Sequence, residues 1–448
     1  MEMSVERAPL APGAGRAVVV GMAFVALLFF ILGFVTWLNG SLVPFLKIVC
    51  GLNNFQALWV TFAFYIAYTV MALPSAAVLD RIGYKRGMTA GLAVMGVGAL
   101  LFVPAAHSTH YGLFLLALFT LASGMTLMQT AINPYIVCLG PRESAAMRIS
   151  IMGVFNKGAG VVVPLVFSSL MLADIDSYSH TSLSALAPAA QETMRAALAQ
   201  RLVFPYACMA AVLFVIMVFI HFSRLPDIPA DTEAEADAAA PSATGVLRFP
   251  QLVLGAVALF CYVGVEVIAG DTIGLYGHEL NVANFGVLTS YTMVCMVIGY
   301  LVGVVAIPRF LSQQTALVLS ALAGLLLTVG VVSGSATSHG VSQLLVGWSG
   351  APLVPDTVMC LALLGLANAM VWPAIWPMAL QGLGRYTASG AAVLIMAISG
   401  GALLPLLYGR LADFSSSQGG YWLLLPCYAV IAWYALFGHK LRHWRRAA

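Results

Sequence analysis

The sequence predicts an all-α integral membrane protein whose twelve transmembrane helices form two six-helix halves. Hydrophobic residues make up 61% of the 448 positions and charged residues only 8%, whereas a soluble domain carries about 25% charged residues. Long apolar runs alternate with short polar breaks, and each run reaches the roughly 20 residues that a helix needs to cross a bilayer. A membrane β-barrel would show segments of about 10 residues with alternating polarity, and the sequence contains none.

Twelve apolar stretches are predicted to be the spans. Their bounds are 17–42, 54–79, 87–106, 111–138, 149–172, 202–223, 251–276, 285–307, 314–334, 356–380, 387–409 and 420–438. The break at 224–250 contains DIPADTEAEADAAAPSATG, which is acidic and too polar to pack, so it is predicted to be a linker. The predicted units are therefore a tail at 1–16, halves at 17–223 and 251–438 on either side of that linker, and a tail at 439–448.

The positive charges predict the orientation of the chain in the membrane. Fifteen of the 20 Lys and Arg residues fall in segments on the side of the N-terminus, four fall on the other side, and Lys157 lies within a span. Because cytoplasmic loops are enriched in Lys and Arg, both termini are predicted to be cytoplasmic. The formal net charge of +3 follows from this bias, so no nucleic-acid partner is expected and the lipid bilayer is.

Proline positions and one polar loop indicate the arrangement of the halves. Pro134 and Pro164 stand 30 residues apart in the first half, and Pro377 and Pro405 stand 28 apart in the second. Two parallel six-span halves joined by a central linker are typical of the major facilitator fold, whose binding site lies at mid-membrane between the halves.

The loop after the second span, LPSAAVLDRIGYKRG, resembles the gating-loop signature of the same superfamily. The residues that carry this likeness are Asp80, Arg81, Gly83, Lys85 and Arg86. Asp80 is expected to accept hydrogen bonds at a helix end while the cations lie at the interface. Ala76 replaces the first glycine of the signature and Tyr84 the first of its basic residues. The alternative interpretation is that the cations only determine topology.

Several strings are similar to one branch of the superfamily, the fucose–galactose–glucose symporters. They include LFFILGFVTWLNGSLVPFLK, QTAINPYIVCLGPRESAAMR, FNKGAG, FCYVGVEV and VLIMAISGGALLPLLYGRLAD, and they extend from the first span to the eleventh. The resemblance implies sugar transport across a bacterial inner membrane by alternating access, in symport with a proton or sodium ion.

Polar residues in the first half are predicted to line the sugar site. Gln129 and Asn133 lie four residues apart and so share a helix face, and Asn156 follows in the fifth span. Asn39 in the first span is a further candidate. The alternative for Gln129 is a single interhelical hydrogen bond that only stabilises packing.

The resemblance also shows a departure in the acidic residues. In the fucose symporter type, an acid follows the asparagine of the first span and a glutamate stands in the fourth. The matching positions here are Gly40 and Gln129, so coupling cannot use those two carboxyls.

Three ionisable residues deep in the spans remain as coupling candidates: Lys157, Glu266 and Asp271. A charge at mid-membrane costs about 2.5–3.5 kcal/mol on insertion scales and is a functional candidate by default. Glu266 is predicted to be the main coupling carboxylate, because the glucose/galactose type also has Glu in this context. Asp271 lies five residues on, about 140° around the helix, so the two should not face the same wall. Lys157 is expected to pair with a carboxylate of the other half or to titrate by itself, and the alternative is that it extends towards an interface. For Asp271 the alternative is exposure near the outer mouth.

Aromatic residues are predicted to complete the site. Trp37, Trp372 and Trp376 lie in the first and tenth spans, and an aromatic plane suits the apolar C–H face of a sugar. Trp372 is the strongest of these because it aligns with Gln129 in the repeat. Trp residues at membrane interfaces are the alternative interpretation.

The sequence predicts a transporter in preference to other classes. It has no Walker loop, HExxH or GxSxG motif, so an enzyme is not expected, and neither a bound cofactor nor a metal is predicted. A non-transporting sensor on the same fold is a weaker alternative. Within transporters, the alternative to a glucose, galactose or fucose-like hexose is an N-acetylated amino sugar or another small polar solute, carried with sodium or by uniport. A monomer is expected.

Overall fold

Twelve membrane-spanning helices make up most of the described chain, as the sequence predicts. The computed structural model describes residues 14–138, 145–171, 188–223, 243–307, 309–383 and 386–444, and this part contains no strand. The twelve spans are Gly21–Cys50, Asn54–Leu79, Arg81–Ser108, Tyr111–Ile132, Ile151–Met171, Ala190–Phe222, Pro250–Asp271, Phe285–Ala306, Gln313–Ser333, Asp356–Leu380, Val393–Phe414 and Ser417–Lys440.

The first span is longer than predicted, and this changes the position of Lys47. The prediction ended the span at residue 42 and placed Lys47 in a loop, but helix continues to Cys50 and Lys47 is buried within it. Pro44 lies inside this helix. Proline removes a single helix hydrogen bond, that to the carbonyl four residues earlier, so the helix can continue through it.

Two further segments relate to the predicted organisation. The sixth span was predicted to begin at residue 202 but begins at Ala190, because the helix Pro188–Gln200 runs almost directly into the helix Val203–Phe222. Of the predicted linker, residues 224–242 lie outside the described residues, and the remainder contains the short helix Ala243–Val246.

The two ends of the bundle are distinguished by the span termini that reach them. Because the number of spans is even, the first and the last span reach the same end with their outer termini, and we call this the terminal end. The opposite end, where the first span finishes at Cys50 and the seventh at Asp271, is called the distal end.

Glycines let the first and seventh spans approach closely where the halves meet. A Cβ atom at position 40 would lie 2.8 Å from the Gly270 carbonyl oxygen and nearer still to the Thr289 hydroxyl. A Cβ atom at position 274 would lie 3.1 Å from the Gly40 carbonyl oxygen. Small residues at such a contact allow backbone to pack against backbone inside a membrane.

Hydrogen bonds between described residues of the two halves join the distal side of the bundle. Ser41 Oγ donates to the Gly286 carbonyl at 2.8 Å, and Ser290 Oγ donates to the Val161 carbonyl at 2.7 Å. The other bonds of this kind lie at the level of Lys157 or nearer the distal end. The structure is therefore that of a bundle whose halves are closed together distally.

Candidate functional site

An ion pair joins the two halves inside the bundle. Lys157 Nζ in the fifth span lies 2.5 Å from Glu266 Oε1 in the seventh, and the two side chains are only 12% and 10% exposed. Buried charges are costly unless they are paired and hydrogen-bonded. Lys157 thus turns to a carboxylate of the other half rather than towards an interface, and of the two candidate partners it contacts Glu266.

Trp37 forms the floor beneath this ion pair. Lys157 Nζ lies 4.3 Å from the centroid of the Trp37 ring, a distance at which an ammonium is attracted to an aromatic face. The ring fits because Gly160 and Gly270 carry no side chain: a Cβ atom at either position would lie 2.7 Å from the ring. Trp37 is 2% exposed, so in this closed state its face meets Lys157 and not a sugar.

Asp271 faces a different wall from Glu266, in agreement with the predicted 140° separation. Its Oδ2 accepts a hydrogen bond from Thr61 Oγ1 in the second span at 3.0 Å, whereas its Oδ1 has no hydrogen-bond partner in the described part of the chain. The residue is 0% exposed. It is therefore a buried carboxyl at the seam and is not exposed at the outer mouth in this structure.

The two tryptophans of the tenth span form an aromatic wall in the second half. The rings of Trp372 and Trp376 stack with centroids 5.2 Å apart, and Trp372 lies 6.4 Å from Tyr262. Tyr262 stands one helical turn before Glu266 and so shares its helix face. Both tryptophans are half-buried, so part of each ring remains accessible.

The predicted polar residues of the first half differ in their burial. Gln129 is half-buried, and Asn156 is half-buried with its amide Nδ2 donating to the Phe29 carbonyl at 3.4 Å. Asn39 is fully buried, and its Nδ2 lacks a partner among the described residues. The side chain of Asn133 lies outside the described residues. None of the three described side chains is hydrogen-bonded to the ion pair, so their part in the site remains a prediction.

The loop with the gating signature contains a tight turn at the terminal end. Gly83 interrupts the helix with a φ of 75°, a conformation that glycine adopts without steric cost. Lys85 Nζ then donates to the Ser223 carbonyl at the end of the sixth span, 2.7 Å away. Arg81 and Arg86 are exposed, and the side chain of Asp80 lies outside the described residues.

A polar network at the distal end was missed by the sequence analysis. Lys47 Nζ donates to Asn54 Oδ1 at 2.6 Å and to Glu279 Oε1 at 3.1 Å, which joins the first span to the helix after the seventh. The two carboxylate oxygens of Asp413 accept the backbone N–H groups of Asn54 and Phe55 at 3.0 and 2.9 Å. We call these five residues the distal latch. The apolar run FLKIVC around Lys47 was the available signal for a longer helix.

Comparisons with known proteins place the chain among transporters. The model of the Major Facilitator Superfamily matches residues 25–405. A glucose/galactose transporter of Brucella abortus biovar 1 (strain 9-941) is 34% identical over 419 residues, 92% of this chain and 93% of that one. An L-fucose-proton symporter of Escherichia coli (strain K12) is 27% identical over 432 residues, 95% and 94% of the two chains. The crystal structure of FucP, a superfamily transporter in the outward conformation, superposes with a TM-score of 0.69 at 26% identity, covering 94% of this chain and 99% of that one.

Proposed function

We propose a function from the premise that this chain belongs to the major facilitator superfamily: it imports a glucose-, galactose- or fucose-like hexose in symport with a cation. The observation that carries the proposal is the ion pair of Lys157 and Glu266, which lies at the seam of the halves in a chain whose relatives are named for these sugars. In this fold the substrate site lies at the same place, near mid-membrane between the repeats.

The ion pair and the aromatic wall provide suitable chemistry for a sugar. Glu266 accepts hydrogen bonds from hydroxyl groups, Lys157 donates them, and the half-buried Trp372 offers an apolar plane to the C–H face. Gln129 is proposed to supply further hydrogen bonds from the first half. Hydrogen bonds to charged groups contribute about 1.5–3 kcal/mol each, which is enough to orient a small polar ligand.

The position of the pair also suggests how transport is coupled. Lys157 and Glu266 belong to different halves, so parting the halves near this level separates them. A separated Glu266 loses its counter-charge inside the membrane, and a proton or sodium ion bound together with sugar restores it. We therefore propose that Glu266 is the main coupling carboxylate and that Lys157 replaces the cation when the site is empty.

The charge distribution and the relatives also suggest the orientation of the chain and the membrane in which it acts. The positive charge bias favours both termini in the cytoplasm, and the named relatives are bacterial, so the chain is proposed to act as a monomer in the inner membrane. In that orientation the distal end faces outwards, and the structure corresponds to a carrier closed towards the outside.

Counterflow in proteoliposomes tests the proposal directly. Vesicles are loaded in turn with glucose, galactose, fucose, N-acetylglucosamine and a control polyol, and the uptake of each labelled sugar is measured without an ion gradient. We expect counterflow for at least one of the three hexoses, and accumulation when a proton or sodium gradient is added. Counterflow of N-acetylglucosamine alone would favour the amino-sugar alternative, and no counterflow of any sugar would contradict the proposal.

A further inference from the structure

Asp271 is the most deeply buried acid of the described chain that lacks a cationic partner. It is 0% exposed, it receives one hydrogen bond, from Thr61 of the other half, and its Oδ1 is unpartnered among the described residues. An isolated carboxylate in such an environment costs many kcal/mol, and in practice the group takes up a proton. The geometry therefore describes a neutral carboxylic acid.

The surrounding ionisable groups supply no positive charge to Asp271. On its own helix, Glu266 is bonded to Lys157 of the fifth span, whose ammonium is therefore already paired. On the second span the nearest titratable residue is the buried Tyr65, one helical turn beyond Thr61. Towards the twelfth span, the adjacent Thr272 shares a hydrogen bond of 2.9 Å with the hydroxyl of Tyr421.

The first span contributes no ionisable group at this level. Its nearest cation, Lys47, is bonded to Asn54 and Glu279. The groups that face Asp271 are therefore acidic or phenolic and disfavour a negative charge.

The contacts also distinguish a proton from a sodium ion. Sodium needs several oxygen ligands, as hard cations do, whereas the bond from Thr61 is the one side-chain hydrogen bond that the carboxylate of Asp271 receives from the described residues. A proton needs only the free Oδ1.

Asp271 lies directly after Gly270, which packs against Gly40 of the first span. Gly40 packs against Gly270 of the seventh span and against Gly274 of the helix that follows it, on either side of Asp271, and no side chain fits at position 40 in the closed state. The first span therefore has no room for a carboxyl here, and the carboxyl at this seam comes from the seventh span.

We infer that Asp271 is a proton-binding site separate from Glu266, and that it must take a proton from the distal side before the halves close there. Closure carries the protonated carboxyl into the dry seam against Thr61, and reopening exposes it to water, where it releases the proton. This inference rests on the proposed transport function only for its consequence in transport. The proton is bound from the distal side and returned to it, so the step makes closure depend on pH and carries no net proton across the membrane.

Linkage gives the sign and the size of the effect. The closed state binds one proton more than the open state at this site, so rising pH favours the open state. The ratio of open to closed molecules should rise by up to about tenfold per pH unit. The Asp271→Asn variant, which is neutral at every pH and still accepts from Thr61, should lose this dependence.

Hydrogen exchange measured by mass spectrometry tests the inference on the full chain without sugar. The exchange rates of distal segments 51–58 and 273–286 are measured at several pD values between 5.5 and 8. Each rate is divided by the rate of the same segment in Asp271→Asn at the same pD, which removes the intrinsic dependence of amide exchange on pD. We expect the ratio to rise with pD. For the double variant Asp271→Asn/Thr61→Val, the exchange rate divided by that of Asp271→Asn should not change with pD. For Thr61→Val alone the corresponding ratio should rise with pD, because this variant weakens the contact but keeps the titratable carboxyl of Asp271.

A ratio that stays flat with pD for the wild type would overturn the inference, because Asp271 would then bind no proton on closure. In proteoliposomes, the counterflow rate of Asp271→Asn should lose the dependence on pH at the distal side that the wild type and the exposed Glu192→Gln variant both show. Absence of counterflow in the wild type would contradict the proposed function and leave the exchange result to decide the inference.

Discussion

Glu279, just beyond the seventh span, holds Lys47 of the first span at 3.1 Å across the distal seam. Lys47 is almost fully buried, while the Glu279 side chain is 29% exposed. Asn54 is a second partner of the same ammonium, 2.6 Å away. Lys47 is therefore shielded from water while Glu279 is partly solvated, so replacing Lys47 is expected to affect closure more than replacing Glu279.

Removing either partner should open the distal end, but to different extents. Glu279→Gln should shift the equilibrium towards the distally open state by no more than about 1 kcal/mol, because a partly exposed pair is screened by water. Lys47→Met should shift it further, since Asn54 and Glu279 both lose a donor. Exchange of segment 51–58 is the measurement and Glu192→Gln the control, and an equal effect of the two variants would contradict this account.

Neutralising Glu266 should separate coupling from binding. Glu266→Gln is expected to abolish gradient-driven accumulation and keep some counterflow, because glutamine retains the hydrogen-bonding shape but binds no cation. Uptake with and without a proton or sodium gradient is the measurement. A variant that still concentrates sugar would leave Glu266 a sugar ligand or a structural residue.

The ion pair should also show strong non-additivity. Lys157→Met alone leaves the Glu266 charge without its partner, which costs about 3–5 kcal/mol when the charge stays buried. The double variant Lys157→Met/Glu266→Gln removes both charges and should recover most of that loss in a thermal unfolding series. Additive losses in the two single variants and the double variant would show that the two side chains do not interact.

Replacing Gln129 should weaken sugar binding. Gln129→Ala is expected to cost about 1–3 kcal/mol in affinity, through an unpaired polar group on the sugar. Thr120→Ala in the same span is the control, because its hydroxyl bonds to the Leu116 carbonyl of its own helix. Unchanged affinity in Gln129→Ala, measured by calorimetry, would return Gln129 to helix packing.

Two glycines in the fifth span form a matched pair. A methyl group at Gly160 would meet Trp37 at 2.7 Å and Met293 at 2.8 Å, whereas one at Gly158 would meet nothing within 4 Å. Gly160→Ala should therefore destabilise the closed state by about 1–3 kcal/mol through overpacking. Gly158→Ala should be silent in the same unfolding and counterflow measurements, and equal effects would show that the ring of Trp37 adjusts freely.

The orientation of the chain is open to a labelling test. A single cysteine at position 238, within the predicted linker at 224–250, should resist a membrane-impermeant maleimide added to intact cells and react after lysis. Labelling from the outside would contradict the predicted topology.

The extent of sequence-based prediction differs between the spans and the site. Apolar runs locate the spans to within a few residues in most cases, because crossing a bilayer requires length and composition that are visible locally. The position of Lys157 within an apolar span and the angle between Glu266 and Asp271 around their helix could also be predicted, because both depend only on neighbouring sequence. Their partners were not, since Thr61 stands 210 residues from Asp271 and Asp413 stands 359 from Asn54, and only packing brings such residues together.

The pairing of Lys157 with Glu266 has an electrical consequence. One positive and one negative charge move as a neutral unit, and a protonated Asp271 adds none, so the empty carrier displaces no net charge at this site when it reorients. The transmembrane voltage, which acts with about 2.3 kcal/mol per elementary charge per 100 mV, therefore does not oppose or assist that return through these residues. It acts on the step in which sugar enters with its cation, and the voltage across the membrane becomes a second source of energy for accumulation.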